Sequence, residues 1–431
     1  MNILFVTAGA AGMYCGSCLR DNALAAELKS RGHDVVLVPL YTPTLTDEPN
    51  VSEARVFFGG ISVYLQQHSP IFRHLPSLVD KLLDAPWLIR AATSGSMSTD
   101  PRALGELTIS MLKGEDGFQR KEFGKLLDWL KSEPPPDVIQ LPNALLASLA
   151  RPLRRELKRP IHCTLQGEDL FLDGLSRKDR EHSIELIHQN AESVDRFTAV
   201  SEYYATFMAK YLSIPEDKID VVPLGINLAD FPQTSQSARP ASQSFTVGYL
   251  ARIAPEKGLH ELCEAYVTFR RRPDVQSSRL EIAGYMASDQ QQYLRDAERR
   301  VADAGFPGEF HYRGFLDRRQ KIAFLSDLSV FSVPTTYVEP KGLFLLEAMA
   351  CGVPVVQPHH GAFPEMLANT SGGLLVEPGS AESLADGLYA LWKDPSRRAV
   401  LGQHGFDGVR EHYGIGRSAD RMLEMYERSM C

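Results

Sequence analysis

Residues 333–354 read V-P-T-T-Y-V-E-P-K-G-L-F-L-L-E-A-M-A-C-G-V-P, and this stretch decides the fold. An apolar run that ends at Val333 predicts a buried strand, and a short loop then leads to Gly342. The apolar spacing that follows predicts a helix over residues 343–351, and Pro354 opens the next apolar segment. The stretch therefore supplies a strand, a loop and a helix in the order that parallel α/β sheets use.

Two carboxylates bracket the start of this predicted helix, Glu339 in the loop and Glu347 about one turn into the helix. Helical side chains lean toward the helix N-terminus, so we expect the Glu347 side chain to point toward the N-terminal end of the helix, near Glu339. The backbone N–H groups at Gly342 and Leu343 and the positive end of the helix dipole suit a phosphate there. A phosphate seat between two hydroxyl acceptors fits a nucleotide sugar. For an isolated Glu-x7-Glu pattern, two solvated glutamates would be the better interpretation.

The composition limits the class of protein. The chain has 431 residues, of which 44% are hydrophobic, so we expect two or three domains with substantial cores. A formal net charge of −8 argues against a nucleic-acid partner, but peripheral contact with a membrane stays open because an acidic protein can carry a local basic face. The apolar run Ile3–Val6 is too short for a spanning helix and has no basic segment before it, so we expect no signal peptide and a cytoplasmic location. The oligomeric state stays open.

Six cysteines are spread along the chain, which favours a reducing compartment over a disulfide framework. Cys15 and Cys18 form a C-x-x-C pattern at the start of a predicted helix, which is where redox chemistry would place it. Zinc would need two further ligands at a suitable spacing, and the sequence contains no second C-x-x-C. We interpret the pair as a packing or loop-shaping feature and predict no metal site.

The first half of the chain alternates strands and helices. Residues 1–7 predict a short buried strand, a glycine-rich loop follows, and a helix over 19–29 leads to a second strand over 35–39. Gly9 and Gly12 do not complete the G-x-G-x-x-G fingerprint of dinucleotide binding, so an NAD-dependent oxidoreductase is the least favoured class. The further predicted elements are a hairpin over 57–65, helices over 75–92 and 104–112, and strands over 137–141, 160–165, 196–200 and 218–223.

A linker and a second series of strands follow. Residues 233–244 are rich in Ser, Gln, Ala and Pro, which is typical of a linker. A strand over 245–249 then leads through Arg252 and Lys257 to a helix that begins near Leu259. Arg and Lys in a loop at a helix start can hold a diphosphate, and a solvated loop of mixed charge is the alternative. Strands are also predicted over 280–284, 310–315, 329–333, 353–357 and 374–376.

Together these motifs resemble family 4 (group 1) retaining glycosyltransferases. The resemblance rests on Glu339 and Glu347 with the A-M-A-C-G-V-P-V-V continuation. It also rests on E-M-L-A-N-T-S-G-G-L-L-V-E-P-G over residues 365–379 and on G-Y-L-A-R-I-A-P-E-K-G over residues 248–258. It covers both halves of the chain, most firmly residues 195–415.

The resemblance implies an α/β protein of the GT-B fold, in which two Rossmann-like, doubly wound domains face each other across a cleft. Its first, acceptor-side domain would occupy residues 1–230, a linker 231–244 and the nucleotide-sugar-binding domain 245–415. A C-terminal helix over 416–431 would cross back and pack on the first domain.

The activity implied by the resemblance is metal-independent transfer of a hexosyl group from a nucleotide diphosphate sugar to an acceptor hydroxyl, with retention at the anomeric carbon. No cofactor is expected besides the donor substrate, and the acceptor would be a sugar, a lipid-linked or a small molecule. Two alternatives stay open: a nucleotide-sugar epimerase of the same fold, and a non-catalytic nucleotide-sugar-binding protein.

The resemblance also assigns residues to roles, and it has two visible departures. The chain reads Glu339-Pro340-Lys341-Gly342 where the family usually reads Glu-Gly-Phe-Gly, and Gln166 stands where the family typically has a histidine. Pro340 removes a backbone N–H, and Gln166 cannot take up a proton, so both departures bear on activity. The catalytic roles fall to Glu339, Arg252, Lys257 and Gln166, and the donor-binding roles to Gly16, Arg252, Lys257, Phe315, Lys341, Gly342, Leu343 and Glu347.

Overall fold

The structure, a computed structural model, describes residues 1–9, 16–58, 63, 66–67, 101–235 and 244–430. They form two compact units, residues 1–223 with 418–431 and residues 224–417. The second unit includes residues 224–230, which the sequence analysis placed in the first domain, because the N–H of Ile226 bonds to the carbonyl of Tyr413. Cys15, the predicted helix over 75–92, and most of the predicted hairpin and linker lie outside the described residues.

The first unit is built on a parallel sheet of six strands in the order β2-β1-β3-β4-β5-β6. Its middle strands β3 and β4 are buried along their whole length, as expected of parallel strands with helices on both faces. The order reverses between β1 and β3, which places a switch point at the carboxyl ends of these two strands. The strands are β1 (Asn2–Thr7), β2 (Asp34–Pro39), β3 (Val138–Leu141), β4 (Ile161–Leu165), β5 (Arg196–Ala199) and β6 (Ile219–Val221).

Helices alternate with these strands, and polar residues begin two of them. The side chains of Ser176 and Ser201 accept bonds from the N–H groups of Asp179 and Tyr204, which satisfies N–H groups that a helix start leaves unpaired. The described helices are α1 (Gly16–Ser30), α2 (Pro101–Leu112), α3 (Arg120–Leu130), α4 (Ala150–Leu157), α5 (Glu168–Gly174), α6 (Arg177–Ala191) and α7 (Glu202–Leu212).

The second unit contains another parallel sheet of six strands, in the order β12-β11-β10-β7-β8-β9. This is the doubly wound Rossmann order, and its switch point lies between β7 and β10. The predicted strand over 329–333 is only two residues long, Val330–Phe331, although the N–H of Ser332 still donates to the carbonyl of Gly248 over 2.9 Å. The strands are β7 (Phe245–Leu250), β8 (Ser278–Ala283), β9 (Phe310–Tyr312), β10 (Val330–Phe331), β11 (Val355–Pro358) and β12 (Gly373–Val376).

Seven helices of the second unit lie within the described residues. Asp317 and Gln320 form a reciprocal capping box at the start of one of them, and Asp394 caps another that has a proline in its first turn. The helices are α8 (Leu259–Arg270), α9 (Gln291–Asp303), α10 (Arg318–Ser326), α11 (Leu343–Ala350), α12 (Phe363–Thr370), α13 (Ala381–Lys393) and α14 (Pro395–His412).

The last helix, α15 (Ile415–Met430), returns to the first unit from Ser418 onward, as the sequence predicted. Met422, Met425 and Tyr426 are buried in that unit. The hydroxyl of Tyr426 donates to Oε1 of Gln140 on β3 over 3.1 Å. Apolar burial and this bond together hold α15 on the sheet. In the part of the chain that the structure describes, no helix is both long and apolar enough to cross a bilayer.

Replacing Tyr426 with Phe should destabilise the first unit by about 1–3 kcal/mol, because the buried Oε1 of Gln140 loses its donor. Tyr426→Ala should cost about 3–5 kcal/mol, since it also leaves a cavity. The free energy of unfolding would be measured by urea titration. Arg421→Ala, on the exposed side of the same helix, is the control and should change stability by no more than about 0.5 kcal/mol. A Tyr426→Phe variant as stable as the wild type would contradict the role of this bond.

Candidate active site

The candidate site lies at the switch point of the second unit, where the loops after β7 and β10 are in contact. The N–H of Thr336 donates to the carbonyl of Glu256 over 3.0 Å. Gly258 has a φ of +72°, and a Cβ at this position would lie 1.7 Å from the carbonyl oxygen of Pro334. Only glycine fits this approach and this conformation. The contact therefore fixes Lys257 beside the loop that carries Glu339.

A lysine, a tyrosine and a glutamate meet at the centre of the site. The ammonium of Lys257 donates to Oε2 of Glu339 over 2.7 Å and to the hydroxyl of Tyr337 over 2.6 Å. The Tyr337 hydroxyl in turn donates to the same glutamate oxygen. The ammonium also lies 4.8 Å from the centre of the Tyr337 ring and 5.5 Å from that of Phe344. Glu339 is only 2% exposed, so this ion pair is largely withdrawn from water.

The surroundings change the pKa values of two of these groups. Burial, the largest influence on Glu339, raises its pKa, but the Lys257 charge and the bonds from Lys257 and Tyr337 outweigh it, so the net shift is downward from 4.5. Burial and the neighbouring Glu339 carboxylate raise the pKa of Tyr337 well above its usual value. The site therefore holds an ionised carboxylate and a neutral phenol at neutral pH.

The start of α11 also contributes to this cluster. Oε1 of Glu339 accepts bonds from the backbone N–H groups of Lys341 (3.2 Å) and Gly342 (3.4 Å). Gly342 adopts a left-handed conformation with φ of +71°, which turns the loop into the helix. In the structure, the N–H groups predicted to bind a phosphate are thus bonded to the Glu339 carboxylate instead. The positive end of the helix dipole stabilises that carboxylate.

Three other predicted donor-site residues lie elsewhere in the same unit. Arg252 follows β7, and its side chain is 47% exposed and bonds to Glu256 on the same loop. Glu347 does not join Glu339: its Oε1 accepts a 2.6 Å bond from Lys321 on α10. Phe315 lies between β9 and α10 and is 45% exposed. The structure therefore brings together Glu339, Lys257 and the N–H groups before α11, and it gives Glu347 a separate partner.

Gln166 lies in the first unit, immediately after β4. Its side-chain N–H group donates to the carbonyl of Pro142 over 2.7 Å, and its backbone N–H donates to Glu168 over 2.7 Å. Glu168 also accepts from the N–H of Ala144 over 2.8 Å. Burial raises the pKa of Glu168 in spite of these backbone bonds. Gln166 thus ties the ends of β3 and β4 together, and among the described residues its buried Oε1 has no partner.

Of the predicted glycine loop of the first unit, the structure describes residues 8 and 9 and then resumes at Gly16, where α1 begins. Cys18 is buried, and its sulfur lies 3.9 Å from the hydroxyl of Thr7. The structural role of the C-x-x-C pair stays a prediction because Cys15 is outside the described residues. Over those residues, no group of three or more His, Cys, Asp or Glu side chains is placed to hold a metal ion.

Sequence reasoning missed Tyr337 and Lys321. Tyr337 stands two residues before Glu339 in the same loop, and its hydroxyl bonds to the Glu339 carboxylate. Lys321 is four residues before the buried Leu325, on what would otherwise be the apolar face of α10. A lysine at a helix position where the pattern expects an apolar residue could have indicated that Lys321 is buried and paired.

Comparison with known families identifies the class. The family described as "Glycosyl transferases group 1" matches residues 230–407, and the "Glycosyl transferase 4-like domain" matches residues 21–225. The chain therefore belongs to the group 1 glycosyltransferases, and the family predicted from the sequence is confirmed.

Curated relatives carry several specific names. D-inositol 3-phosphate glycosyltransferase of Pseudarthrobacter chlorophenolicus is 28% identical over 64% of this chain and 65% of its own length, so slightly less than two thirds of that relative is matched. The 2-deoxystreptamine glucosyltransferase of Streptomyces kanamyceticus is 25% identical over 68% of this chain and 78% of its own length.

Solved structures confirm the fold. Sucrose-phosphate synthase from Thermosynechococcus elongatus superimposes with a TM-score of 0.72 at 18% identity, covering 99% of this chain and 98% of the other. Anabaena HepE in complex with UDP gives a TM-score of 0.69 at 17% identity, covering 99% and 100%. The predicted GT-B fold is thereby confirmed.

Glu339→Gln should lower the free energy of unfolding of the second unit by about 3 kcal/mol at neutral pH, because it leaves Lys257 largely buried without its counter-charge. The folded-state pKa of Glu339 is lowered, so the ion pair contributes fully above the unfolded pKa and its contribution is lost as the pH falls through the folded value. Denaturant titrations at several pH values should therefore show the difference between wild type and variant shrinking only below about pH 4.5. Glu298→Gln, at an exposed position on α9, should give no such trend. A difference that is constant down to pH 3 would contradict this account.

Proposed function

We propose that the protein transfers a hexosyl group from a nucleoside diphosphate sugar to an acceptor hydroxyl, with retention at the anomeric carbon. The observation that carries the proposal is the buried contact of Lys257, Tyr337 and Glu339 at the start of α11. It places a cation, a hydroxyl acceptor and helix N–H groups at one switch point of a Rossmann sheet, where ligands of this fold bind. The family match does not favour the alternatives of an epimerase or a non-catalytic binder.

The cations of the site suit a departing diphosphate. When the bond between the anomeric carbon and the diphosphate breaks, negative charge develops on the diphosphate oxygens. In the structure, Lys257 forms an ion pair with Glu339, and Arg252 forms one with Glu256. In the proposed mechanism the diphosphate replaces these carboxylates as the partner of both cations. The cations then stabilise the charge that develops in the transition state.

This exchange would also release the glutamate for recognition of the sugar. Once Lys257 turns to the diphosphate, Oε2 of Glu339 becomes available to accept a hydroxyl of the donor sugar. The Tyr337 hydroxyl accepts a bond from Lys257 and donates one to Glu339. It can therefore keep its bond to either residue after the two have separated. Because the protein supplies the positive charge, we propose that turnover needs no metal ion and no cofactor besides the donor. Activity in the presence of a chelator checks this.

Gln166 is assigned to the reacting region of the first unit. Its side-chain N–H group is engaged with Pro142, so we propose as the acceptor of a hydroxyl the Oε1 atom, which is buried and has no partner among the described residues. An amide cannot take up a proton. The proton of the acceptor hydroxyl therefore goes to the departing diphosphate oxygen in this proposal, as the acceptor oxygen forms its bond to the anomeric carbon.

The donor and acceptor are proposed as classes. HepE, which shares the fold, has been solved with UDP-glucose, and one relative in Mycobacterium tuberculosis is named as a GDP-mannose-dependent mannosyltransferase. We therefore place UDP- and GDP-hexoses first among the donors. We propose a sugar, a lipid-linked or a small-molecule acceptor, with peripheral membrane contact if the acceptor is lipid-linked. The buried free thiols of Cys163, Cys263 and Cys351 support a cytoplasmic location.

The deciding experiment is a thermal-shift panel of nucleoside diphosphates and nucleotide sugars, because a ligand that binds the folded state raises the melting temperature by mass action. The donor that gives the largest shift is then incubated with candidate acceptors. NMR of the product reports whether the anomeric configuration is retained. No shift and no donor turnover with any nucleotide sugar would overturn the proposal.

Arg252→Ala should lower kcat/KM by about 100-fold, since one cation that stabilises a developing anion contributes roughly 3 kcal/mol. The melting temperature should not change, because the side chain is half exposed and its bond to Glu256 is a surface pair. Arg271→Ala is the matched control: this exposed arginine follows the opposite end of α8 and should leave turnover unaltered. Equal activity of Arg252→Ala and wild type would remove Arg252 from the site.

Gln166→Ala should lower turnover at least about tenfold and stability by about 1 kcal/mol, because one buried bond to Pro142 is lost. Gln166→His should be tolerated better, since an imidazole can also donate and accept hydrogen bonds. Steady-state kinetics on the identified donor and thermal unfolding of each variant separate the two effects. Loss of stability with unchanged turnover would reduce Gln166 to a residue that shapes the loop.

A further inference from the structure

The loop over residues 359–362 follows β11 and lies against the candidate site. The N–H of Ala362 donates to the backbone carbonyl of Glu339 over 2.9 Å. Gly361 has a φ of +60°, and a Cβ at this position would lie 2.3 Å from the same carbonyl oxygen. Only glycine permits this approach. The backbone contact therefore holds His360, the residue before Gly361, beside the loop that carries Glu339.

One ring nitrogen of His360 has a defined partner. Its Nε2 lies 3.0 Å from the carbonyl oxygen of Thr335. A carbonyl oxygen only accepts hydrogen bonds, so Nε2 carries the proton and, in the neutral ring, Nδ1 presents a lone pair. The ring centre also lies 5.5 Å from that of the buried Phe363, with 32° between the ring planes. These two contacts fix the tautomer and the orientation of the imidazole.

The other ring nitrogen is a hydrogen-bond acceptor that nothing satisfies. Nδ1 of His360 is buried, and it has no partner among the residues that the structure describes. The same is true of Oγ1 of Thr335, a residue that is only 2% exposed. A buried polar atom without a hydrogen bond is destabilising, and the few in native proteins call for a specific explanation. Neither the ion pair of Lys257 and Glu339 nor the proposed diphosphate contacts explain these two atoms.

We propose that His360 is a specificity-determining residue for the transferred sugar, and that its Nδ1 accepts a hydrogen bond from a hydroxyl of the hexosyl group. The inference rests on the proposed function, in which Glu339 accepts another hydroxyl of the same sugar. Nδ1 is enclosed in the structure, so the hydroxyl reaches it only if the loop over residues 335–341 moves. We place that movement at the step in which Lys257 separates from Glu339, since Glu339 belongs to this loop.

The chemistry of Nδ1 selects among the parts of a nucleotide sugar. A bare ring nitrogen needs an N–H or O–H group as its partner, whereas the oxygens of an ionised diphosphate only accept. Hydroxyls occur on the ribose and on the transferred sugar. The contacts of Ala362 and Gly361 place His360 next to Glu339, the residue assigned to the sugar. We therefore assign Nδ1 to the transferred sugar, and binding of ribose becomes an outcome of the test.

Two substitutions separate this role from a structural one, because they mimic different nitrogens of the ring. His360→Gln places an amide N–H near the position of Nε2, so it can keep the bond to Thr335, but it has no acceptor at the position of Nδ1. His360→Asn places an amide oxygen near the position of Nδ1 and is too short to reach Thr335. Gln is the better replacement for a purely structural histidine, and Asn is the better one for a histidine that binds the sugar.

The test is calorimetric titration of the full chain and of each variant with UDP, GDP, UDP-glucose, UDP-galactose, UDP-N-acetylglucosamine and GDP-mannose. For the nucleotide sugar that wild type binds most tightly, His360→Gln should raise the dissociation constant by about tenfold, which corresponds to one hydrogen bond. The dissociation constant of the matching nucleoside diphosphate should change by less than about twofold. His360→Asn should weaken the nucleotide sugar less than His360→Gln does, although its melting temperature should fall further.

Deoxy analogues of that nucleotide sugar, each lacking one hydroxyl of the hexose, identify the partner of Nδ1. One analogue should bind wild type about tenfold more weakly than the parent compound does. The same analogue and the parent compound should bind His360→Gln equally, because the hydroxyl and the nitrogen form one bond and their losses do not add.

His359→Gln is the matched control. This neighbouring histidine is exposed, and its backbone N–H bonds to the carbonyl of Val376, so the substitution should leave all affinities unaltered. If His360→Gln does not fold, His360→Phe takes its place, since it retains an aromatic ring against Phe363 and also lacks Nδ1.

Three results would overturn the inference. If His360→Gln binds nucleotide sugars as wild type does, His360 only holds the loop, and the proposed function stands. If His360→Gln weakens nucleoside diphosphates as much as nucleotide sugars, Nδ1 binds the ribose or shapes the site as a whole, and the proposed function again stands. If wild type binds none of the six ligands, both the inference and the proposed function are wrong.

Discussion

The candidate site depends on mutual neutralisation of Lys257 and Glu339 in the interior of the second unit. Neither charge could be withdrawn from water alone, and each is stable there because the other is 2.7 Å away. The close approach of Gly258 to Pro334 brings the two loops together, and the dipole of α11 favours the carboxylate end. The pair therefore stabilises the loop contact, and it keeps one cation and one anion together at the candidate site.

The fold was largely readable from the sequence, because local patterns carry it. Apolar runs located both series of strands, and the motifs around Glu339 and Lys257 identified the family whose fold the structure shares. Element ends were less predictable where the cause lies in a neighbouring strand. The strand predicted over 329–333 pairs with its neighbours only over Val330–Phe331, and such a pairing cannot be read along a single segment.

The structure brings some of the predicted site residues into contact and separates others. Glu339, Lys257 and Gly342 were singled out together and do meet, because strand ends on either side of a switch point are neighbours in any doubly wound sheet. Glu347 was expected to lie beside Glu339 at the start of the helix, but it pairs with Lys321 instead. That partner comes from another helix, 26 residues earlier in the chain, and only packing in three dimensions brings it within reach.

The return of α15 to the first unit has a consequence for biosynthesis. During translation the amino-terminal sheet emerges from the ribosome long before the helix that covers part of it. Until residues 418–430 have been made, the surface that will receive Tyr426 remains open, and Oε1 of Gln140 lacks the bond that Tyr426 donates in the folded protein. The unit that is synthesised first is thus the one completed last, and the nascent chain must keep it from aggregating while the whole second unit is translated.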